Sequence, residues 1–287
     1  MGVVRPEEIT QASLASFGNA PDPRMRHVSQ ALVKHLHAFV SEVDPTPDEW
    51  MAGIEFLTRV GHMSQGARQE FILLSDVLGV SMLVDTMANP GGGNATESTV
   101  LGPFYVDNPP LAEQGADIAK GVEGVPMWID VTVTDISGRP LAGAIVDIWE
   151  GGPDGLYDVQ RNLAPGEYDL RGRFAADQDG RVTCWAKMPV SYPVPDDGPV
   201  GDLLAATGRH PWRPAHVHFR ISAEGHPPLI THLFASGDQY LTSDAVFGVK
   251  PSLVLDLEDG QDRDIPGDRP IDGQWKIMEH TFVLADG

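Results

Sequence analysis

The chain has a single cysteine, Cys184, among 287 residues. No internal disulfide can form, and a thiolate-rich metal cage is excluded. Basic residues are scarce: 20 Lys and Arg stand against 41 Asp and Glu, a net charge of −21. Such a surface repels phosphate backbones and anionic headgroups, so neither a nucleic acid nor a membrane surface is an expected partner. No apolar run is long enough to span a bilayer, and the start, Met1 to Glu8, has no apolar region of the signal-peptide kind. A cytoplasmic protein is the expectation. The glycines of Gly91-Gly92-Gly93-Asn94 are not followed by Gly-Lys-Ser, so they read as a hinge or loop and not as a phosphate cradle. A Gly-x-Ser-x-Gly elbow is missing too, which weighs against a Ser-His-Asp hydrolase.

What is present divides into two kinds of periodicity. Residues 1–90 read as helical, and 91–287 as a β-rich domain. Val28, Leu32, Leu36, Phe39 and Val43 recur at helical spacing and form one apolar stripe, with His35 and His37 off its centre and expected in solvent. Thr46-Pro47-Asp48-Glu49 predicts a helix start with a capping box. A third helix is expected from about Arg68 to Met87, stopped by Asn89-Pro90. These helices carry more apolar positions than one sheet face requires, which points to a helical dimer contact. From Met127 onward the period becomes two, with strands expected near Met127–Val133, Ala144–Glu150, Arg173–Ala175, Arg181–Met188, His216–Ser222, Leu229–Ala235 and Trp275–Val283. Short strands separated by Gly/Pro turns predict an antiparallel β-sandwich, and the whole chain a mixed α+β protein.

Chemistry concentrates in His216-Val217-His218. On a strand the two imidazoles share one side while Val217 and Phe219 take the other. Two imidazoles so placed suit one metal ion; two histidines on a wet strand face are the competing reading. Tyr157 and Tyr192 lie in turn-rich segments just after predicted strands, where loops hold functional groups on a rigid scaffold. For each tyrosine alone, a packed phenol bonded to backbone competes. Taken together, two phenolates and two imidazoles make a hard N/O donor set that suits Fe(III), which keeps phenolate deprotonated near neutral pH. Zn(II) would more often take His with carboxylate.

Gly155-Leu156-Tyr157-Asp158, Tyr192-Pro193-Val194-Pro195-Asp196-Asp197-Gly198-Pro199, and Gly208-Arg209-His210 followed by Arg213-Pro214-Ala215-His216-Val217-His218-Phe219 resemble the intradiol ring-cleavage dioxygenases. The resemblance covers nearly the whole chain. It implies a β-sandwich catalytic domain over 91–287, a helical dimerisation region over 1–90, and one non-haem Fe(III) per chain held by Tyr157, Tyr192, His216 and His218. It implies a homodimer through the N-terminal helices with phospholipid in an apolar tunnel there. Substrates would be O2 and a small aromatic diol or triol. Tyr192 would take a substrate proton as it leaves the metal, and Arg213 would stabilise negative charge on the ring. His232 stands where many catechol 1,2-dioxygenases carry glutamine. In this, and in Leu73 to Ser81 and Val100 to Phe104, the chain is similar to the hydroxyquinol (1,2,4-trihydroxybenzene) branch. That branch implies a pocket of Leu73, Asp76, Val100, Leu101, Gly102, Pro103, Phe104, Val194, Pro195, Arg213 and Val246. Asp76 has a physical rationale as well, because an acidic acceptor in an apolar wall suits a third ring hydroxyl. The alternative is an Asp76 that faces water. The reaction implied is cleavage of hydroxyquinol to maleylacetate. Cleavage of catechol or chlorocatechol to a muconate, and a non-catalytic β-sandwich that binds metal or ligand, remain the competing readings.

Overall fold

In the computed structural model, residues 5–66, 68–89, 93–119, 121–164, 166–271 and 273–287 are described. Met1 to Val4, Pro90 and the first two glycines of the 91–94 stretch lie outside them. Two compact units divide between Arg59 and Val60, within the third helix, upstream of the 90/91 boundary read from periodicity.

The first unit carries α1 (Pro6–Phe17), α2 (Pro23–Val43) and most of α3 (Pro47–Met63). Asp22 caps α2 by accepting from the Met25 N–H at 2.7 Å. The capping box at α3 forms as expected: Thr46 Oγ1 accepts from the Glu49 N–H (3.2 Å), and Glu49 accepts from the Thr46 N–H (2.8 Å). The apolar stripe of α2 is exposed. Val28, Leu32, Leu36, Phe39 and Val43 are 44–60% exposed, and Val33 is the buried residue of this helix. His35 is exposed, but His37 is half-buried, its Nδ1 2.9 Å from Thr10 Oγ1.

In the second unit the expected third long helix is two: α4 (Glu70–Val77) and α5 (Val80–Ala88), bent by 76°. Gly79 is the cause. It adopts φ +73°, a left-handed conformation that glycine accepts without strain and that ends a helix. Apolar periodicity runs through both pieces, so the sequence pattern hides the break. Among the described residues no single helix is long and apolar enough to cross a membrane.

The strands follow as β1 (Ala116–Asp117), β2 (Pro126–Asp135), β3 (Ile145–Glu150), β4 (Arg171–Ala175), β5 (Arg181–Lys187) and β6 (Tyr192–Pro193). After α6 (Pro199–Ala206) come β7 (Trp212–Arg213), β8 (His216–Ser222), β9 (Leu229–Ala235), β10 (Val254–Leu255), β11 (Glu258–Asp259) and β12 (Lys276–Leu284). One sheet has the order β1-β5-β2-β12-β11 and the other β10-β9-β8-β3-β4. Alternate residues of both point at one another. Met127, Ile129, Val131 and Val133 of β2 meet Val146 and Ile148 of β3 and Val217, Phe219 and Ile221 of β8 in a common buried cluster. This is a two-sheet sandwich. Its pairings are mixed, not uniformly antiparallel: β12 lies parallel to β2 along nine residue pairs, and β1/β5 and β10/β9 are also parallel. Partners so distant in the chain leave no mark in local periodicity.

Cys184 lies in the sandwich core, fully buried, and burial pushes its thiol well above the ordinary range. The native protein is therefore expected to resist alkylation by iodoacetamide, with one equivalent reacting only after denaturation. Rapid labelling of folded protein would contradict this burial.

Candidate metal centre

The site stands on the outer face of the second sheet. Because Val217 and Phe219 enter the core, His216 and His218 must point away from it. Register then sets their neighbours. His218 pairs with Trp149 on β3 and with His232 on β9, and His216 pairs with Phe234. Trp149 stacks on the His218 ring at 4.7 Å and 15°. The β6/β7 ladder pairs Tyr192 directly with Arg213, and Tyr157 arrives from the loop after β3.

Four donor atoms converge there. Tyr157 Oη is 3.1 Å from Tyr192 Oη and 3.0 Å from His218 Nε2, and the two imidazole Nε2 atoms are 3.2 Å apart. Tyr157 Oη and His216 Nε2 are 3.5 Å apart. Separations of this size are what donors about 2 Å from a shared ion require. All four side chains are 5% exposed or less.

The proton inventory agrees with ligation. Burial first, then the nearby Arg213 charge, pushes His216 down to about 3, and burial with neighbouring His232 drives His218 well below its usual value. Both rings are neutral at pH 7 and hold lone pairs. His216 Nδ1 is 2.7 Å from the Pro214 carbonyl, so it donates there and leaves Nε2 bare. Burial, reinforced by Tyr192, raises the Tyr157 phenol well above its ordinary value, so the buried group ionises only beside a strong cation. A donor set of two phenols and two neutral imidazoles, closed to solvent, fits a hard trivalent ion. His232 also lies close enough to form a three-imidazole group with His216 and His218. Both its nitrogens are already engaged: Nε2 with His218 Nδ1 and Nδ1 with Thr99 Oγ1, each at 2.7 Å. The two-tyrosine, two-histidine set is therefore the better candidate.

These depressed imidazoles have a stability consequence in metal-free protein. Below pH 6.5 the unfolded chain protonates its histidines while buried His216, His218 and His232 stay neutral. Stability present above pH 6.5 is expected to be lost as pH falls toward 3, by up to about 4 kcal/mol per pH unit when all three contribute. Denaturant midpoints of chelator-treated protein between pH 5 and 7.5 measure this, and a flat profile refutes it.

Arg213 is 4% exposed and lies beside the donors, with Nη1 3.2 Å from His216 Nε2. Its Nε donates to Asp244 Oδ1 (3.0 Å) and its Nη2 to Oδ2 (3.3 Å). Burial works against both charges, but the pairing outweighs it, raising the Arg213 value and lowering that of Asp244. Asp244 also accepts from the N–H groups of Val246 and Gly248, so it ties the arginine to the loop that carries Val246.

Some of the expected pocket residues lie against this centre: Leu101, Gly102, Phe104, Val194 and Pro195. Phe104 stacks on Tyr157 at 4.5 Å, and Leu101 packs against the same cluster. Gly102 has φ +74°, and a Cβ there would meet His218 Cε1 at 3.2 Å, so the bare backbone lies against the ring. Phe104, Val194, Pro195 and Tyr192 line a cavity of about 300 Å³. Asp76, on α4, is 5% exposed and within electrostatic reach of Arg213 and Asp244; burial is the main cause of its raised value. Leu73 is buried one turn earlier on α4, Val100 and Val246 are buried in their loops, and Pro103 is half-buried. Periodicity and motif do not reveal Asp244, Thr99, Trp149 or the pair Arg171–Asp158. Arg171 Nε donates to Asp158 Oδ2 (2.7 Å) and Nη2 to the Phe104 carbonyl (2.8 Å), joining the Tyr157 loop to the pocket wall. A buried arginine calls for a carboxylate, but nothing local says which.

Residues 100–284 match the family described as "Dioxygenase", and residues 22–96 match "Catechol dioxygenase N terminus". The chain belongs to the intradiol ring-cleavage dioxygenases. This dioxygenase is 47% identical to a hydroxyquinol 1,2-dioxygenase of Nocardioides simplex, across 98% of this chain and 96% of that one. It is 49% identical to a 6-chlorohydroxyquinol 1,2-dioxygenase of Cupriavidus pinatubonensis, across 96% of each. The crystal structure of a hydroxyquinol 1,2-dioxygenase from Pseudomonas putida DLL-E4 superposes with a TM-score of 0.90 at 45% identity, covering 98% of this chain and 99% of that one. Catechol 1,2-dioxygenase from Pseudomonas arvilla gives 0.83 at 30% identity, covering 97% and 92%. The family implies a non-haem iron.

Proposed function

We propose that this dioxygenase holds one Fe(III) per chain through Tyr157, Tyr192, His216 and His218 and cleaves hydroxyquinol between its 1,2-hydroxyls, using O2, to give maleylacetate. The observation that carries the choice of substrate is Asp76, a buried carboxyl hydrogen-bonded with Ser81 and within electrostatic reach of Arg213 and Asp244. It would accept a further hydrogen bond from the third ring hydroxyl beside the one it has from Ser81, and a plain catechol forgoes that bond. Relatives bearing the hydroxyquinol name at 43–49% identity over nearly the full chain support the same choice.

An iron held by Tyr157, Tyr192, His216 and His218 would supply Lewis acidity toward two adjacent ring hydroxyls. The chain does the rest. Tyr192, on the short β6/β7 ladder, takes a proton from a substrate hydroxyl at its Oη. Arg213 Nη1 offsets negative charge as it spreads over the ring. Phe104, stacked on Tyr157, and the bare backbone of Gly102 against His218 crowd the donor cluster and help exclude water there. The reaction balances without any other reactant, because the triol and O2 together contain every atom and electron of maleylacetic acid. Protein assayed under 18O2 with hydroxyquinol and catechol in parallel, with products identified by mass, tests the proposal. Expected are maleylacetate with both labelled oxygens and a much lower rate on catechol; faster cleavage of catechol to muconate would transfer the assignment to the catechol branch. A colourless protein that loads fully with zinc and turns over neither ring would overturn it.

Asp76→Ala is expected to cut kcat/KM for hydroxyquinol by about 10- to 100-fold, the cost of losing one buried hydrogen bond, with little effect on catechol. Equal losses on both substrates would remove Asp76 from specificity.

We also infer a homodimer through the N-terminal helices, with phospholipid acyl chains against their apolar faces. The exposed stripe of α2 supports this, since a patch rich in Leu and Phe is costly in water. Leu32→Asp with Phe39→Asp is expected to give monomers by light scattering, and lipid extraction with mass spectrometry tests for the acyl chains.

A further inference from the structure

We propose that Thr99 is a positioning residue that, through His232, fixes His218 with its Nε2 lone pair toward Tyr157. The inference rests on the ferric reading above and adds two residues to it. His218 offers Nε2 to an ion only when its remaining proton is on Nδ1. That Nδ1 lies 2.7 Å from His232 Nε2, so His232 accepts there. His232 then carries its own proton on Nδ1, 2.7 Å from Thr99 Oγ1, and the hydroxyl accepts in turn. Two arrangements of protons satisfy these contacts, because the Thr99 hydroxyl can accept or donate, and the one in which it accepts leaves the donor nitrogen bare for an ion to select. Without an acceptor at Nδ1, His232 gains by taking the other tautomer and donating from Nε2. The His218 proton would then move to Nε2, where it blocks ligation.

The two histidine donors thus use different devices. His216 fixes its tautomer locally, against the Pro214 carbonyl two residues away. His218 has a side chain at the same place, and that side chain must itself be fixed. Thr99 is suited to this because it does not move freely. It is 2% exposed, and its N–H donates to the Ile230 carbonyl at 2.8 Å. Just before it, the Glu97 carbonyl accepts from Thr231 Oγ1 (2.8 Å) and the Ser98 carbonyl from Lys250 Nζ (2.6 Å). The stretch is therefore clipped along β9, the strand that bears His232. The same stretch runs on to Gly102, whose backbone lies against His218 Cε1, and Trp149 covers a face of that ring. One strap sets both the pocket wall and the proton of a metal donor.

The test compares iron-loaded wild type with Thr99→Val, Thr99→Ser, His232→Gln and His232→Leu. Readouts are the visible phenolate-to-iron band, the rate of iron loss to excess chelator, and the thermal midpoint as a check on folding. Thr99→Val keeps the shape but removes the acceptor; it is expected to displace the band and lose iron about tenfold faster. Thr99→Ser restores the hydroxyl and is expected to behave as wild type. His232→Gln, whose amide oxygen accepts from His218 Nδ1, is expected to retain iron better than His232→Leu. A folded Thr99→Val with wild-type band and iron retention overturns the proposal. Should Thr99→Val fail to fold, the His232 pair decides, and equal iron loss from Gln and Leu overturns it. A wild type that takes up no ferric ion and stays colourless overturns the ferric reading and this inference with it, whereas iron-loaded, red protein with an indifferent Thr99 overturns the inference alone.

Discussion

Arg213→Ala is expected to lower kcat by about 10²- to 10³-fold, the usual cost of removing one preorganised charge from a buried reaction centre. The guanidinium is nearly solvent-free and stands 3.2 Å from a proposed metal donor, so its field is poorly screened. KM should change less than kcat, because the negative charge it answers grows during the reaction of the ring with O2 rather than on binding. A second effect must be separated from this one. The variant leaves Asp244 buried with no cation, which costs about 3–5 kcal/mol of stability. Arg213→Ala with Asp244→Ala removes both charges. It is expected to recover much of the stability, measured by denaturant unfolding, and none of the turnover. If the double variant recovers turnover as well, Arg213 serves the fold and not the reaction. A loss confined to KM would make it a substrate-binding group only.

Tyr192→Phe is expected to shift the visible band and cut kcat by about 10²- to 10⁴-fold, the range for loss of a general base. The substitution removes one phenol oxygen, 3.1 Å from that of Tyr157, while leaving the ring packed near His216. Tyr157 lies deeper and is fully buried, whereas Tyr192 sits on a two-residue strand whose other residue, Pro193, is exposed, as are Asp196 and Asp197 in the loop that follows. The two phenols are therefore not equivalent, and Tyr192, the less deeply buried, is the one expected to take a proton from substrate. Absorbance spectra, iron content and stopped-flow turnover decide it. An unchanged spectrum at full iron content would remove Tyr192 from the metal.

Much of this architecture is legible in the residues. Strands β2, β3, β5, β8 and β9 show because their inner faces alternate aliphatic with polar groups, and the capping box at Thr46 shows because both partners are adjacent. His216 and His218 are visible for the same reason. The tyrosines need a family resemblance: a phenol in a loop carries no periodicity. Gly79 is easily passed over because a glycine within an apolar run looks tolerable until its φ is known. The partners of Arg213 and Arg171 are illegible because the fold supplies them across 31 and 13 residues. Thr99 and His232 are 133 residues apart, so their contact exists only in the folded chain.

Strand β8 serves two masters by parity. Odd positions Val217, Phe219 and Ile221 fill the sandwich, while even positions His216 and His218 bring their imidazoles together on the outer face. Inheritance should treat this strand asymmetrically. Single substitutions at Val217 or Ile221 are expected to act through stability, and those at the histidines through the donor cluster as well as through the pH dependence of stability. A one-residue insertion or deletion exchanges the two sets, placing imidazoles in the core and aliphatic groups at the metal. Laboratory libraries should therefore accept many point changes along β8 and no change in its length, whereas the loops bearing Val100 to Phe104 and Val246 are the places where length can drift and new ring substituents be admitted.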